Sequence, residues 1–253
     1  MPRFIKQFLY GIFYLGVFAL IVFGVYVIFL RPGPSCTNNR QDAGEEDVDC
    51  GGVCSPVCFP QNFRPIEVTE QVRIFYPANG QVSALATIQN ANAGLAVKAF
   101  DYSFDFYDAQ NNLLRTVSGQ SFIYAGEIRR LAKFLDITES LRVVRVDIRL
   151  QNAAWVKAEA FPRPEMVIQD WRAETDGSMI RVSGRFVNAG TLPLPYVTIL
   201  AIFHNASGRS MGISETAVED VAPRESKNFT IFYPAVKDID PKNTELIASA
   251  SRE

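Results

Sequence analysis

A strand with one buried face alternates apolar and polar side chains, whereas a helix repeats near every 3.6 residues. Residues 8–30 follow neither rhythm, being apolar almost throughout and free of charge. Twenty-three helical residues rise about 35 Å, a little more than the roughly 30 Å hydrocarbon core of a bilayer. The pattern predicts a transmembrane helix over 8–30, a cytoplasmic tail over 1–7, and a helix stop where Arg31 meets Pro32, Gly33 and Pro34. A cleaved signal peptide would have a shorter apolar stretch ending in small residues, which Phe29, Leu30 and Arg31 are not. Cys36 stands where a lipoprotein cysteine could, yet it lies beyond Arg31 and lacks an apolar residue three positions upstream.

Beyond a short proline-containing connector the period becomes two. Phe100, Tyr102, Phe104 and Phe106 alternate with Asp101, Ser103 and Asp105, and Val144, Val146, Ile148 and Leu150 alternate with Arg145, Asp147 and Arg149. No amphipathic helix is predicted outside the anchor. The plan recurs at an offset of about 97 to 98 residues: VSALATIQNANAG from Val82 matches MIRVSGRFVNAG from Met179, with Asn90 opposite Asn188. FDFYDAQNN and AIFHNASGR follow as turn-rich counterparts, and Tyr124, Ala125, Gly126 and Glu127 parallel Val221, Ala222, Pro223 and Arg224. Six or seven short strands in about 90 residues is the density of an immunoglobulin-like sandwich.

The fold class predicted is mainly β: two tandem immunoglobulin-like β-sandwiches, over 66–161 and 165–253, behind the N-terminal transmembrane α-helix and a small disulfide-rich collar with its linker over 31–65. Phe161, Pro162, Arg163 and Pro164 make a stiff connector, so a semi-rigid rod of two beads is expected.

Composition narrows the function. Lys and Arg number 25 against 27 Asp and Glu, a net charge of −2, and no long basic run exists to neutralise phosphates, so nucleic acid is an unsuitable partner. Positive charge is only weakly asymmetric about the anchor, Arg3 and Lys6 before it and Arg31 and Arg40 after it. Orientation is read from the cysteines instead: an oxidising compartment for the long part puts the N-terminus in the cytoplasm and the C-terminal domains extracellular or periplasmic.

All four cysteines, Cys36, Cys50, Cys54 and Cys58, fall in CTNNRQDAGEEDVDCGGVCSPVC, a stretch too polar to bury a core of its own. Two disulfides would supply the constraint, with three connectivities open. A four-cysteine zinc site is the alternative, against which Cys50, Cys54 and Cys58 are bunched. The run Cys36, Gly44, Glu45, Val48, Asp49, Cys50, Gly51, Gly52, Cys54 resembles a short repeat of microbial cell-surface and exported proteins, of the form C-x-D-G-I-x-N-x-G-E-x-x-V-D-C-G-G-x-C, departing from it at Asn38, Asn39, Arg40 and Asp42. Oxygen ligands held by disulfides and glycines could coordinate calcium, the candidate ligands being Asn38, Asp42, Glu45 and Asp49. A solvated acidic spacer is the other reading. No other cofactor is expected.

Phe104, Asp105, Phe106, Tyr107 and Asp108 resemble the signature of the FxLYD family of bacterial exported β-sandwich domains, with Phe106 in place of Leu; Ala201, Ile202, Phe203, His204 and Asn205 stand there in the second copy. The resemblance implies fold and location, and no catalytic residue. His204 is the single histidine and reads as a turn residue, so a nucleophilic triad has little support. Asp101 and Asp105 share a strand face, the usual place of solvent-facing acids and a weak basis for glycoside chemistry. Trp155 and Trp171 flank the connector, as core or junction packing or as a binding patch, and Asn205 and Asn228 begin glycosylation sequons.

These observations predict a non-catalytic, single-pass membrane protein with a protein partner outside the cytoplasmic membrane and no assignable small-molecule ligand. Binding of wall or surface glycans is the alternative, as is an accessory subunit whose anchor packs through Gly11, Gly16 and Gly24.

Overall fold

The computed structural model describes residues 3–27, 35–54, 57–60, 62–77, 81–136 and 143–251, in two compact units, 1–60 and 61–253. In the first, α1 (Arg3–Val25) is one helix of 23 residues with no buried side chain, long and apolar enough to cross a membrane. It begins five residues before the uncharged stretch, because Phe4, Ile5, Lys6 and Gln7 contain nothing that breaks a helix. Residues 28–30 of the predicted span and the stop at 31–34 lie outside the described residues.

Among its described residues the second unit is built of β-strands, with single 3-10 turns at Ala158–Ala160 and Pro241–Asn243. Its first half runs β1 (Glu67–Val68), β2 (Arg73–Phe75), β3 (Gln81–Gln89), β4 (Leu95–Tyr107), β5 (Leu113–Ile123), β6 (Ile128–Asp136) and β7 (Arg145–Lys157). Its second half runs β8 (Met166–Asp176), β9 (Met179–Asn188), β10 (Leu194–His204), β11 (Ser210–Val221), β12 (Ser226–Pro234) and β13 (Glu245–Ser251). All pairings are antiparallel. In the first half β3 lies between β6 and the pair β1 and β2, facing a sheet of order β5-β4-β7; in the second, β12-β9-β8 faces β11-β10-β13. The two halves therefore share one strand order. β1 and β2 together fill the place of β8, which is itself interrupted between Gln169 and Arg172.

Each pair of sheets closes on its own core. Alternation on β4 aims Phe100, Tyr102, Phe104 and Phe106 inward as a ladder of rings 5.9 to 6.5 Å apart, against Val82, Ala84, Ala86 and Ile88 of β3. Val197, Ile199, Ala201 and Phe203 of β10 meet Ile180, Val182 and Phe186 of β9 in the same way. One corner is built alike in both. Buried Asn90 donates Nδ2 to the carbonyls of Leu95 and Tyr124, and Asn188 donates Nδ2 to those of Leu192, Val221 and Ala222. Glu127 accepts from the Tyr124 amide and Glu225 from the Ala222 amide, and the left-handed Gly126 (φ 66) is matched by Arg224 (φ 63). The counterpart of Tyr124 is thus Ala222, one residue later than the sequence alignment placed it, and the offset at the corner is the same 98 that separates Asn90 from Asn188.

The expected rod of two beads is not what forms. A third cluster joins Phe75 of β2 and Leu85 of β3 to Leu200 and Ile202 of β10 and Ile213 of β11, with Ala132 and Ile247 packed against it. These are the outward faces of two sheets, so the sandwiches pack face to face in four layers. Burial on both sides follows: from Val82 to Ile88 every residue of β3 is buried. The connector is pinned as well, since Phe161 stacks on Tyr124 at 4.9 Å and the Tyr124 hydroxyl donates to the Ala250 carbonyl at 2.7 Å.

Leu85→Ala and Leu200→Ala should each lower the unfolding free energy by about 2–4 kcal/mol in denaturant melts. Because the two side chains share one cluster, the double variant should show a coupling of at least about 0.5 kcal/mol, and strictly additive losses would contradict the shared seam.

Candidate functional site

In the collar, the four sulfurs form two bonds, Cys36 with Cys54 and Cys50 with Cys58, each with Cα atoms 5.2 Å apart. Loops of 18 and 8 residues closed this way restrict the unfolded chain by roughly 3 and 2.5 kcal/mol. No thiolate is left for the zinc alternative: Cys36, Glu45 and Cys54 lie close together, but those two sulfurs are bonded to each other. The chain doubles back so tightly that a Cβ on Gly52 would sit 1.8 Å from the Gly44 carbonyl oxygen, which explains the glycine.

The four candidate calcium ligands do come together, as a network of turns. Asp42 accepts from the Ser35 amide and from Asn38 Nδ2, Asp49 from the amides of Asn38 and Asn39, and Glu45 Oε2 from the amides of Asp42 and Asp49. Asn38 Oδ1 accepts from the Arg40 amide. The Ser35 amide, then the Asn38 side chain, hold the Asp42 carboxyl below its usual range. These oxygens satisfy the backbone of a segment that has no sheet to satisfy it.

On the sandwiches, Asp101 accepts from Asn152 and Gln120, which keep its carboxyl below the ordinary range, the opposite of what a general acid needs. Asp105 departs from the expected solvent face. It is 3% exposed, hydrogen-bonded to Thr116 and paired with Arg149 at 2.8 Å, because β4 is the central strand and side chains of β5 and β7 close over it. His204 donates Nδ1–H to the Asn243 carbonyl at 2.9 Å, tying a loop to β10. Trp155 packs on the first core with its ring 4.9 Å from that of Phe63, whereas Trp171 is exposed on β8. In the sequons, Asn205 Oδ1 is engaged by Ser207 and Arg209, and Asn228 is exposed.

One polar constellation was not anticipated. Where the β5–β6 side of the first sandwich meets the outer face of β10, β11 and β13, a cleft of about 290 Å³ is lined by Tyr102, Phe122, Arg129, Lys133, Glu215 and Ser249 among others. Arg129 and Lys133 share the inward face of β6 with Leu131 and Leu135, while Ile128 and Phe134 are exposed, an inversion of the usual pattern. The Arg129 side chain is only 10% exposed and lies over the Phe122 ring at 3.9 Å; its Nη1 is 3.6 Å from Glu127, whose Oε2 already accepts the Tyr124 amide. Nε and Nη1 of Arg129 and Oγ of Ser249 are buried without a hydrogen-bond partner. Lys133 stands over the Tyr102 ring at 5.1 Å. Across the cleft, burial pushes the Glu215 carboxyl up and the Lys133 ammonium draws it partly back.

Non-reducing peptide mapping should recover the pairs Cys36–Cys54 and Cys50–Cys58; either other connectivity would contradict the collar. For Glu215 the folded state holds its proton more tightly than the unfolded chain, so its contribution to stability is present at low pH and is lost as pH rises through the raised value. Glu215→Gln is therefore expected to raise Tm at about pH 8 and to lose that advantage toward pH 4, as followed by thermal melts across pH. A variant less stable than the parent at about pH 8 would show instead that attraction to Lys133 and its neighbours Arg129 and Arg130 outweighs burial.

No family model and no curated protein matches the chain. Among solved structures, red sea bream transglutaminase is 11% identical, with 72% of this chain and 31% of that chain covered, at a TM-score of 0.23. The secreted serine protease VesC from Vibrio cholerae is 8% identical, with 72% and 51% covered, at a TM-score of 0.18. The chain spans under a third of the first and about half of the second, and likenesses this slight carry no weight for its fold or its chemistry.

Proposed function

We propose that the chain is a single-pass, membrane-anchored module whose two sandwiches stand outside the cytoplasmic membrane and act without catalysis, as a rigid surface for a protein partner. The observation that carries this reading is the pairing, in one chain, of a helix uncharged from Gln7 to Val25 with a collar closed by two disulfides. The helix is fit for a bilayer and the disulfides for an oxidising compartment. Support for tandem immunoglobulin-like domains of FxLYD type comes from the shared strand order, the matched corners at Asn90 and Asn188 and the sequence around Phe104. The face-to-face seam favours a surface of fixed shape over a flexible reach.

In cells expressing the full chain with a C-terminal tag, the protein should stay with membranes through alkaline carbonate, and the tag should be cleaved by protease added outside the cytoplasmic membrane. Release by carbonate, or a tag protected until that membrane is breached, would contradict the reading.

A further inference from the structure

We infer that the cleft between the two sandwiches is a binding site for a small hydroxylated carboxylate, of the chemical class of a sugar acid. A guanidinium buried to nine-tenths normally has its donors met, because a buried donor without an acceptor is costly. Here a cation–π contact with Phe122 fixes Arg129 by its face, while Nε and Nη1 remain without hydrogen-bond acceptors. Glu127 balances the charge, its Oε1 lying 3.6 Å from Nη1, but at that distance it accepts no hydrogen bond from the guanidinium, and its Oε2 serves the Tyr124 amide. A second unmet group, Ser249 Oγ, lines the same cleft from the opposite sandwich. Buried polar atoms contributed by two sandwiches to one cavity describe a site, and a ligand acceptor would meet both.

The lining limits the ligand. Arg129 and Lys133 call for an anion, and the Glu215 carboxyl on the facing strand, unfavourable to a second negative charge when ionised, favours a carboxylate over a phosphate. The hydroxyl group of Thr198 lines the rest, beside the ring of Tyr102, and suits a hydroxylated body with an apolar face. At about 290 Å³ the cleft lies near the small end of ligand pockets, roughly 300–1,000 Å³. The inference does not rest on the membrane location proposed above.

The test is thermal melting of the full-length protein in detergent with sodium glucuronate, against glucose, sodium phosphate and sodium chloride at matched ionic strength. Glucuronate should raise Tm saturably and the other three should not. Arg129→Gln should weaken the apparent affinity at least tenfold, and Ser249→Ala, the milder change should the first variant not fold, several-fold. No saturable response to glucuronate, a larger response to phosphate, an equal response to glucose, or unaltered affinity in Ser249→Ala or in a folded Arg129→Gln would each overturn the assignment.

Discussion

Burial of β3 and β10 on both of their faces is the constraint on which the rest of the second unit depends. Each strand gives one row of side chains to its own sandwich and the other to a seam built from Leu85, Leu200, Ile202, Ile213 and Phe75. An antiparallel sheet ordinarily leaves one face to water. Here the faces left over by two sandwiches cover each other, which removes apolar area from solvent and makes one body of two domains. The pinned connector, with Phe161 stacked on Tyr124, is a consequence of that packing more than its cause.

The seam is apolar at its centre and charged at one side, and the two parts have different energetics. Packing Leu85 on Leu200 and Ile202 is favourable without further condition. Arg129, nearly buried beside Lys133, has its charge balanced by Glu127 but keeps Nε and Nη1 without acceptors, which is unfavourable unless something accepts their hydrogen bonds. Proteins keep local conflicts of this kind where function uses them. The sugar-acid site inferred for the cleft gives that conflict a use and ties ligand binding to the junction between domains.

Much of the fold was legible because it is periodic. The uncharged run gave the helix, the alternation at Phe100–Phe106 gave a core strand, and the recurrence of Asn-Ala at Asn90 and Asn188 gave two halves with one plan. The corner was misread by one residue because Arg224, a non-glycine in the left-handed region, stands where Gly126 stands in the first half and disguises the turn. The seam had a signal that went unused: the nearly continuous apolar runs around Leu85 and from Val197 to Phe203 are what a strand buried on both faces looks like. The cleft had a fainter one in Ile128-Arg129-Arg130-Leu131-Ala132-Lys133-Phe134, where Arg129 and Lys133 fall on core-facing positions beside Leu131 while Ile128 and Phe134 fall on the other face. Its other wall, Glu215 and Ser249, is more than eighty residues away in the chain, and no local pattern brings it there. Disulfide pairing was likewise closed to sequence, since four cysteines in 23 residues are compatible with every connectivity.

Calorimetry of the full-length protein tests the central claim most directly. If the two sandwiches are one body, residues 61–253 unfold in a single transition whose calorimetric and van't Hoff enthalpies agree. Two resolved transitions, each about the size of one sandwich, would contradict it.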